Sequence, residues 1–175
     1  MSKIIIGIIV VAGGIAGMLF LFSNTNESKE RVLSEEGRQI LPDVILQDTK
    51  GKDVRIREFL ATPLVIYSWT AWCPFCKEEL ADFAEVQKEF GGKIKIIAID
   101  RKETLEKTKE FTDSIEVTNE LLFLLDPSDL FYRAINGFSM PETIFVDENG
   151  IIKDHARGVI RAEEMRRRIK RAFHF

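Results

Sequence analysis

Cys73 and Cys76 stand two residues apart in Trp69-Thr70-Ala71-Trp72-Cys73-Pro74-Phe75-Cys76, and they are the only 2 cysteines of the chain. Two thiols at this spacing can close into a small disulfide and reopen, and such exchange proceeds by thiolate attack on a disulfide sulfur. Proline suits the first position of a helix, where its missing N–H is not needed. A helix starting at Pro74 places Cys73 at the cap, facing unpaired backbone N–H groups and the positive end of the helix dipole. Both favour thiolate, so the Cys73 pKa is expected below the free value of about 8.5. Cys73 is therefore read as the attacking thiol and Cys76, one turn inside the helix and shielded, as the resolving thiol. A structural disulfide over so short a loop would constrain little of the unfolded chain. A zinc half-site would need a second ligand pair, and His155 and His174 are far apart in sequence. The redox pair is the reading that remains.

The cysteines need a rigid frame. Leu64-Val65-Ile66-Tyr67-Ser68 is a continuous apolar run, as expected of a strand buried on both faces. The helix that follows the pair carries Leu80, Phe83, Ala84 and Phe90 at helical spacing, with Gly91-Gly92 to end it. Glu79 lies three residues after Cys76, on the same helix face. A carboxylate there can take or give a proton during exchange, whereas Glu78 reads as a solvated helix charge.

Upstream, Val44-Ile45-Leu46 and Val54-Arg55-Ile56 flank turn chemistry at Asp48-Thr49-Lys50-Gly51, which predicts a hairpin. Downstream come a strand over 93–99 and a charged helix over 104–115. A strand over 121–125 and a short helix from Asp126-Pro127-Ser128 to Ile135 follow, with Gly137 as its stop. Met140-Pro141 precedes a strand over 143–147, Glu148-Asn149-Gly150 is a hairpin turn, and a last strand runs over 151–155. His155 is expected to be partly exposed, without a catalytic role. The closing helix, 161–173, is basic at Arg166, Arg167, Arg168, Lys170 and Arg171. Those charges suit a helix C-terminus, with contact to anionic lipid headgroups as a secondary reading. Alternation of strands and helices argues for an α/β sheet.

With 25 Lys+Arg against 28 Asp+Glu, the chain is mildly acidic, and nothing in it points to nucleic acid. Its 175 residues fit one domain plus appendages. Ile4 to Phe22 carries no charge, and at about 1.5 Å per residue it reaches roughly 28 Å, close to the hydrocarbon thickness of a bilayer. No good cleavage site follows at Phe20-Leu21-Phe22-Ser23-Asn24, so residues 1–22 are read as an uncleaved signal anchor, with a cleaved signal peptide as the alternative. Residues 23–38 form a polar tether and residues 39–175 the folded domain. An anchor joined to a disulfide-active domain makes sense outside the cytoplasm. The expected location is therefore a single-pass protein of the cell membrane whose C-terminal domain faces the extracytoplasmic side.

Trp72-Cys73-Pro74-Phe75-Cys76 resembles the W-C-x-x-C site of thioredoxin-like proteins. Together with Leu41-Pro42-Asp43 and Met140-Pro141-Glu142-Thr143-Ile144-Phe145-Val146-Asp147, it is similar to the membrane-tethered TlpA/ResA/CcmG group of bacterial thiol–disulfide oxidoreductases, over residues 40–172. The resemblance implies a thioredoxin-like fold: a central mixed β-sheet flanked by helices, an N-terminal β-hairpin and a central αβ insertion between Asp100 and Gly137. It implies a cis Pro141 facing the cysteines, with Trp72, Met140, Pro141 and Glu142 at the substrate and Glu79 beside the active site. Met140 replaces a residue that is often small there, and Glu142 is equally read as an exposed strand-edge acid. Many thioredoxins carry a buried carboxylate six residues before the first cysteine; Tyr67 occupies that place, so the usual base is missing. The implied activity is reduction of protein disulfides, with the apocytochrome c of cytochrome c maturation as the leading substrate. A membrane electron-transfer protein would supply electrons, and no metal or cofactor is expected. The alternatives are a DsbA-like disulfide-forming oxidant and a non-enzymatic binding module. Phe75 is not the histidine familiar in the former, and the intact pair argues against the latter.

Overall fold

The computed structural model describes residues 38–175. The signal anchor and nearly all of the tether expected from sequence lie outside the described residues. Among these, no helix is long and apolar enough to cross a membrane.

Seven strands form one mixed sheet: β1 (Ile45–Asp48), β2 (Asp53–Arg55), β3 (Leu64–Trp69), β4 (Lys95–Arg101), β5 (Leu122–Asp126), β6 (Glu142–Val146) and β7 (Ile152–Arg157). Their spatial order is β2-β1-β5-β4-β3-β6-β7. β3, β4 and β5 run parallel, while β6 and β7 on one side and β1 and β2 on the other pair antiparallel. The N-terminal hairpin thus extends the sheet through β5 rather than lying apart from it. The helices are α1 (Cys76–Phe90), α2 (Leu105–Ser114), α3 (Leu130–Ala134) and α4 (Ala162–Phe173).

Side chains of β3 alternate between the faces because successive Cβ atoms of a strand point to opposite sides. Val65, Tyr67 and Trp69 join Leu80, Phe83 and Val86 of α1 and Met165, Ile169 and Ala172 of α4 in one core. Leu64 and Ile66 join Ile97, Ile99, Ile144 and Val146 in the other, covered by Phe131 and Tyr132 of α3 and by Ile56. Every residue of β3 is buried, which accounts for its unbroken apolar sequence.

Local chemistry sets the helix ends. Thr104 caps α2 by accepting the Lys107 N–H at 3.3 Å. The Asp126 carboxylate accepts the N–H groups of Leu130 and Phe131 at 2.8 and 2.9 Å, which opens α3. The helix expected from Pro74 begins instead at Cys76. Pro74 and Phe75 form a turn in which the Cys73 carbonyl accepts the Cys76 N–H at 3.3 Å.

The basic face of α4 is paired with acids, mainly on α1 and β7. Arg161 donates to Glu78 at 2.7 Å and to Asp82 at 2.5 Å, and Arg166 pairs with Glu85 and Glu89. Arg168 and Arg171 both meet Asp154 of β7. Arg161 and Arg166 thus brace the active-site helix, and Arg168 and Arg171 tie α4 to β7.

Candidate active site

β3 delivers the chain to the site and α1 carries it away. Between them the Thr70 carbonyl accepts the Cys73 N–H at 3.2 Å. Cys73 and Cys76 are joined by a disulfide, with Cα atoms 5.4 Å apart. Cys76 is fully buried and Cys73 is 3% exposed, so the residue expected to attack is the more accessible of two well-shielded groups. The shield has a rim: Trp72 is 64% exposed and Phe75 is 58% exposed. The two tryptophans serve opposite ends. Trp69 is buried, its ring 5.2 Å from Phe111 of α2 and 6.1 Å from Phe123 of β5.

Glu79 points inward. Its Oε2 accepts the Tyr67 hydroxyl at 3.0 Å, and its Oε1 accepts the Ile160 backbone N–H at 2.8 Å. The side chain lies within the fold, and burial pushes its carboxyl up from 4.5 to about 7, outweighing the two hydrogen bonds that favour the charged form. Burial, followed by the Glu79 charge, drives the Tyr67 phenol well above its ordinary value, so Tyr67 remains a neutral donor. A buried carboxylate is thus present after all. It comes from α1 rather than from β3, and Tyr67 holds it. By contrast, Glu78 is exposed and pairs with Arg161, as a surface charge does.

Met140–Pro141 is a cis peptide bond. The Pro141 carbonyl accepts the Gly158 N–H at 2.9 Å. Met140 is half-buried and touches both cores, including the one that holds the cysteines. Its backbone N–H and C=O have no hydrogen-bond partner among the described residues. Two residues earlier, Phe138 is 76% exposed with the Arg157 guanidinium 4.8 Å from its ring centroid.

Glu142 corrects the sequence reading. It is fully buried, neither a strand-edge acid nor a group that substrate can touch. Its Oε1 accepts the N–H groups of Phe138 and Ser139, both at 2.7 Å, and its Oε2 meets His155 Nε2 at 2.7 Å. The His155 ring is nearly buried by that contact, so it is a partner of the loop rather than a bystander.

Four polar groups escaped the sequence reading. Tyr67 was read as a missing base and is the partner of one. Thr70 stands three residues before Cys73 with its Oγ1 buried and unpartnered among the described residues. Asp100 is buried at the end of β4 beside Trp69, its register partner on β3. Its Oδ2 accepts the Thr108 hydroxyl at 2.6 Å, and burial pushes its carboxyl up to about 7. Tyr132 donates to the Ser139 carbonyl from the opposite face of the sheet. The one signal available beforehand was an acid or hydroxyl inside an otherwise apolar run.

The profile described as the AhpC/TSA family matches residues 38–155. Thioredoxin-like protein YneN of Bacillus subtilis is 26% identical over 145 residues, covering 81% of this chain and 83% of that protein. Thiol-disulfide oxidoreductase ResA of Geobacillus kaustophilus is 25% identical over 132 residues, covering 74% of each. The solved structure of a thiol:disulfide interchange protein of the thioredoxin family from Chlorobium tepidum superposes with a TM-score of 0.66. It is 19% identical and covers 77% of this chain and 96% of that one, which shows a shared fold.

Proposed function

The chain belongs to the AhpC/TSA family as a thiol–disulfide oxidoreductase, and from there we propose that it works in the reducing direction outside the cytoplasm, held to the membrane by residues 4–22. The observation that carries this reading is the Cys73–Cys76 disulfide backed by a buried carboxylate, Glu79, one turn along α1 from Cys76. In the reduced enzyme the Cys73 thiolate attacks a substrate disulfide. One sulfur–sulfur bond forms, another breaks, and the departing substrate sulfur takes up a proton. Cys76 then gives its proton to the Glu79 carboxylate and attacks the Cys73 sulfur. The second substrate thiolate leaves, and the enzyme disulfide closes. A base of pKa about 7 is partly ionised near neutrality, where it can accept that proton and later return it.

Phe75 supports the reducing direction. A phenyl ring carries no charge to stabilise a neighbouring thiolate, and a less stabilised reduced form makes a weaker oxidant. Substrate would lie across Trp72 and Met140, pairing as an added strand with the free backbone groups of Met140. Kinship with proteins named ResA makes the Cys-x-x-Cys-His disulfide of apocytochrome c the leading substrate, with a membrane electron-transfer protein as the source of electrons. The test uses the Cys76→Ser chain and an oxidised Cys-x-x-Cys-His peptide. A stable mixed disulfide at Cys73, absent from Cys73→Ser, is expected. Equal trapping by both variants would overturn the assignment of roles, and a wild-type disulfide that accelerates oxidation of reduced peptides would favour the DsbA-like reading.

A further inference from the structure

The loop that leads into Pro141 is held from two sides by groups outside α1. From the sheet, Glu142 accepts the Phe138 and Ser139 N–H groups, and His155 occupies its other oxygen. From α3, the Tyr132 hydroxyl donates to the Ser139 carbonyl. The Tyr132 ring lies 3.3 Å from the Arg101 guanidinium, which in turn donates to both oxygens of Asp129 at 2.7 and 2.8 Å. Gly137 rests on the same ring: a methyl group there would come within 2.5 Å of its carbons. Three backbone polar groups of the two residues before Met140, the N–H of Phe138 and the N–H and C=O of Ser139, are therefore satisfied from inside the protein. The next residue, Met140, leaves both of its backbone groups without a partner among the described residues.

We propose that Tyr132 and Glu142 are positioning residues for substrate, fixing this loop as a ready-made strand edge on which Met140 pairs with an extended, cysteine-bearing polypeptide. The proposal rests on the exchange reading above and adds what sets affinity in it. A loop already ordered before binding spares the complex the entropy of ordering it. The two groups act through Ser139 and Phe138 and have no part in the sulfur chemistry. Their effect should fall on the binding of a chain and leave the intrinsic reactivity of the disulfide as it is. Tyr132 comes from the insertion after β4, so that insertion contributes to recognition and is more than a spacer.

The test compares the full-length chain with its Tyr132→Phe, Glu142→Gln and Gly137→Ala variants on two disulfides. Insulin needs a backbone partner; 5,5′-dithiobis(2-nitrobenzoate), a small aromatic disulfide, does not. Losing one such hydrogen bond is expected to raise KM for insulin about five- to tenfold. In the same variants kcat, the rate with the small disulfide and the reduction potential should stay within about twofold or unshifted. Tyr132→Phe keeps the ring beneath Arg101, and Gly137→Ala displaces the loop without deleting a polar group, so a folding defect in Glu142→Gln leaves the test standing. Unchanged insulin KM in the folded variants overturns the proposal while the exchange reading survives. Parallel loss on both disulfides also overturns it, since the defect would then lie at the sulfurs. A wild-type chain inert toward both disulfides overturns the exchange reading and this proposal together.

Discussion

The Tyr67 hydroxyl donates to Oε2 of Glu79 across 3.0 Å, joining the strand before the disulfide to the helix after it. Tyr67 belongs to the same buried cluster as Cys73 and Cys76. The hydrogen bond favours the ionised carboxylate, while burial opposes it more strongly. Removing the donor should therefore tip the balance further. In Tyr67→Phe, the Glu79 titration followed by carboxyl carbon NMR should move above its wild-type midpoint of about 7. The pH at which the exchange rate rises should move with it. An unmoved midpoint would mean that Tyr67 does not govern Glu79.

Glu79 and Asp100 also tie stability to pH. Their folded-state values of about 7 stand above the ordinary 4.5 and 3.8. Between those limits the folded chain keeps protons that the unfolded chain has released, so stability is greatest at the acidic end for these groups and falls as pH rises toward 7. At about 1.4 kcal/mol per unit, the loss across the window is on the order of 3 kcal/mol for Glu79 and 4 kcal/mol for Asp100. Urea unfolding of the oxidised protein should show the fall between pH 5 and pH 8. Glu79→Gln and Asp100→Asn should each flatten part of it. Equal wild-type stability at the two pH values would contradict the burial effect.

Phe83 is fully buried on α1, with its ring centroid 4.3 Å from that of Tyr67. Truncation to alanine opens a cavity between helix and sheet and should cost about 3–5 kcal/mol in denaturant unfolding. A loss below about 1 kcal/mol would mean the helix is not seated on Tyr67 as described.

Trp72 presents the opposite case. At 64% exposure it adds little to the core. Trp72→Ala should leave stability within about 0.5 kcal/mol while weakening substrate binding. A large loss of stability, or unchanged KM for insulin, would remove Trp72 from the recognition surface.

The parts of the fold set by local pattern were legible in the sequence. The apolar run Leu64–Ser68 is a central strand, the charged stretch 104–115 holds a helix, and the cysteine pair opens one. The helix start differed by two residues because Pro74 and Phe75 turn before the first regular hydrogen bond, and helix ends are decided by such details. The polar interior was illegible for a different reason. Glu79 meets Ile160 and Glu142 meets His155 only once distant segments come together. Nothing near Glu142 distinguishes an edge acid from one buried against the neighbouring strand. Tyr132 and Arg101 likewise lie on separate elements, and their contact depends on the packing of α3 over the sheet.

The most direct measurement is the reduction potential of the Cys73–Cys76 couple in the full-length chain, equilibrated against dithiothreitol or glutathione. A reductant should give a value near that of thioredoxin, about −270 mV. A value near that of DsbA, about −120 mV, would contradict the reducing direction and make disulfide formation the function to pursue.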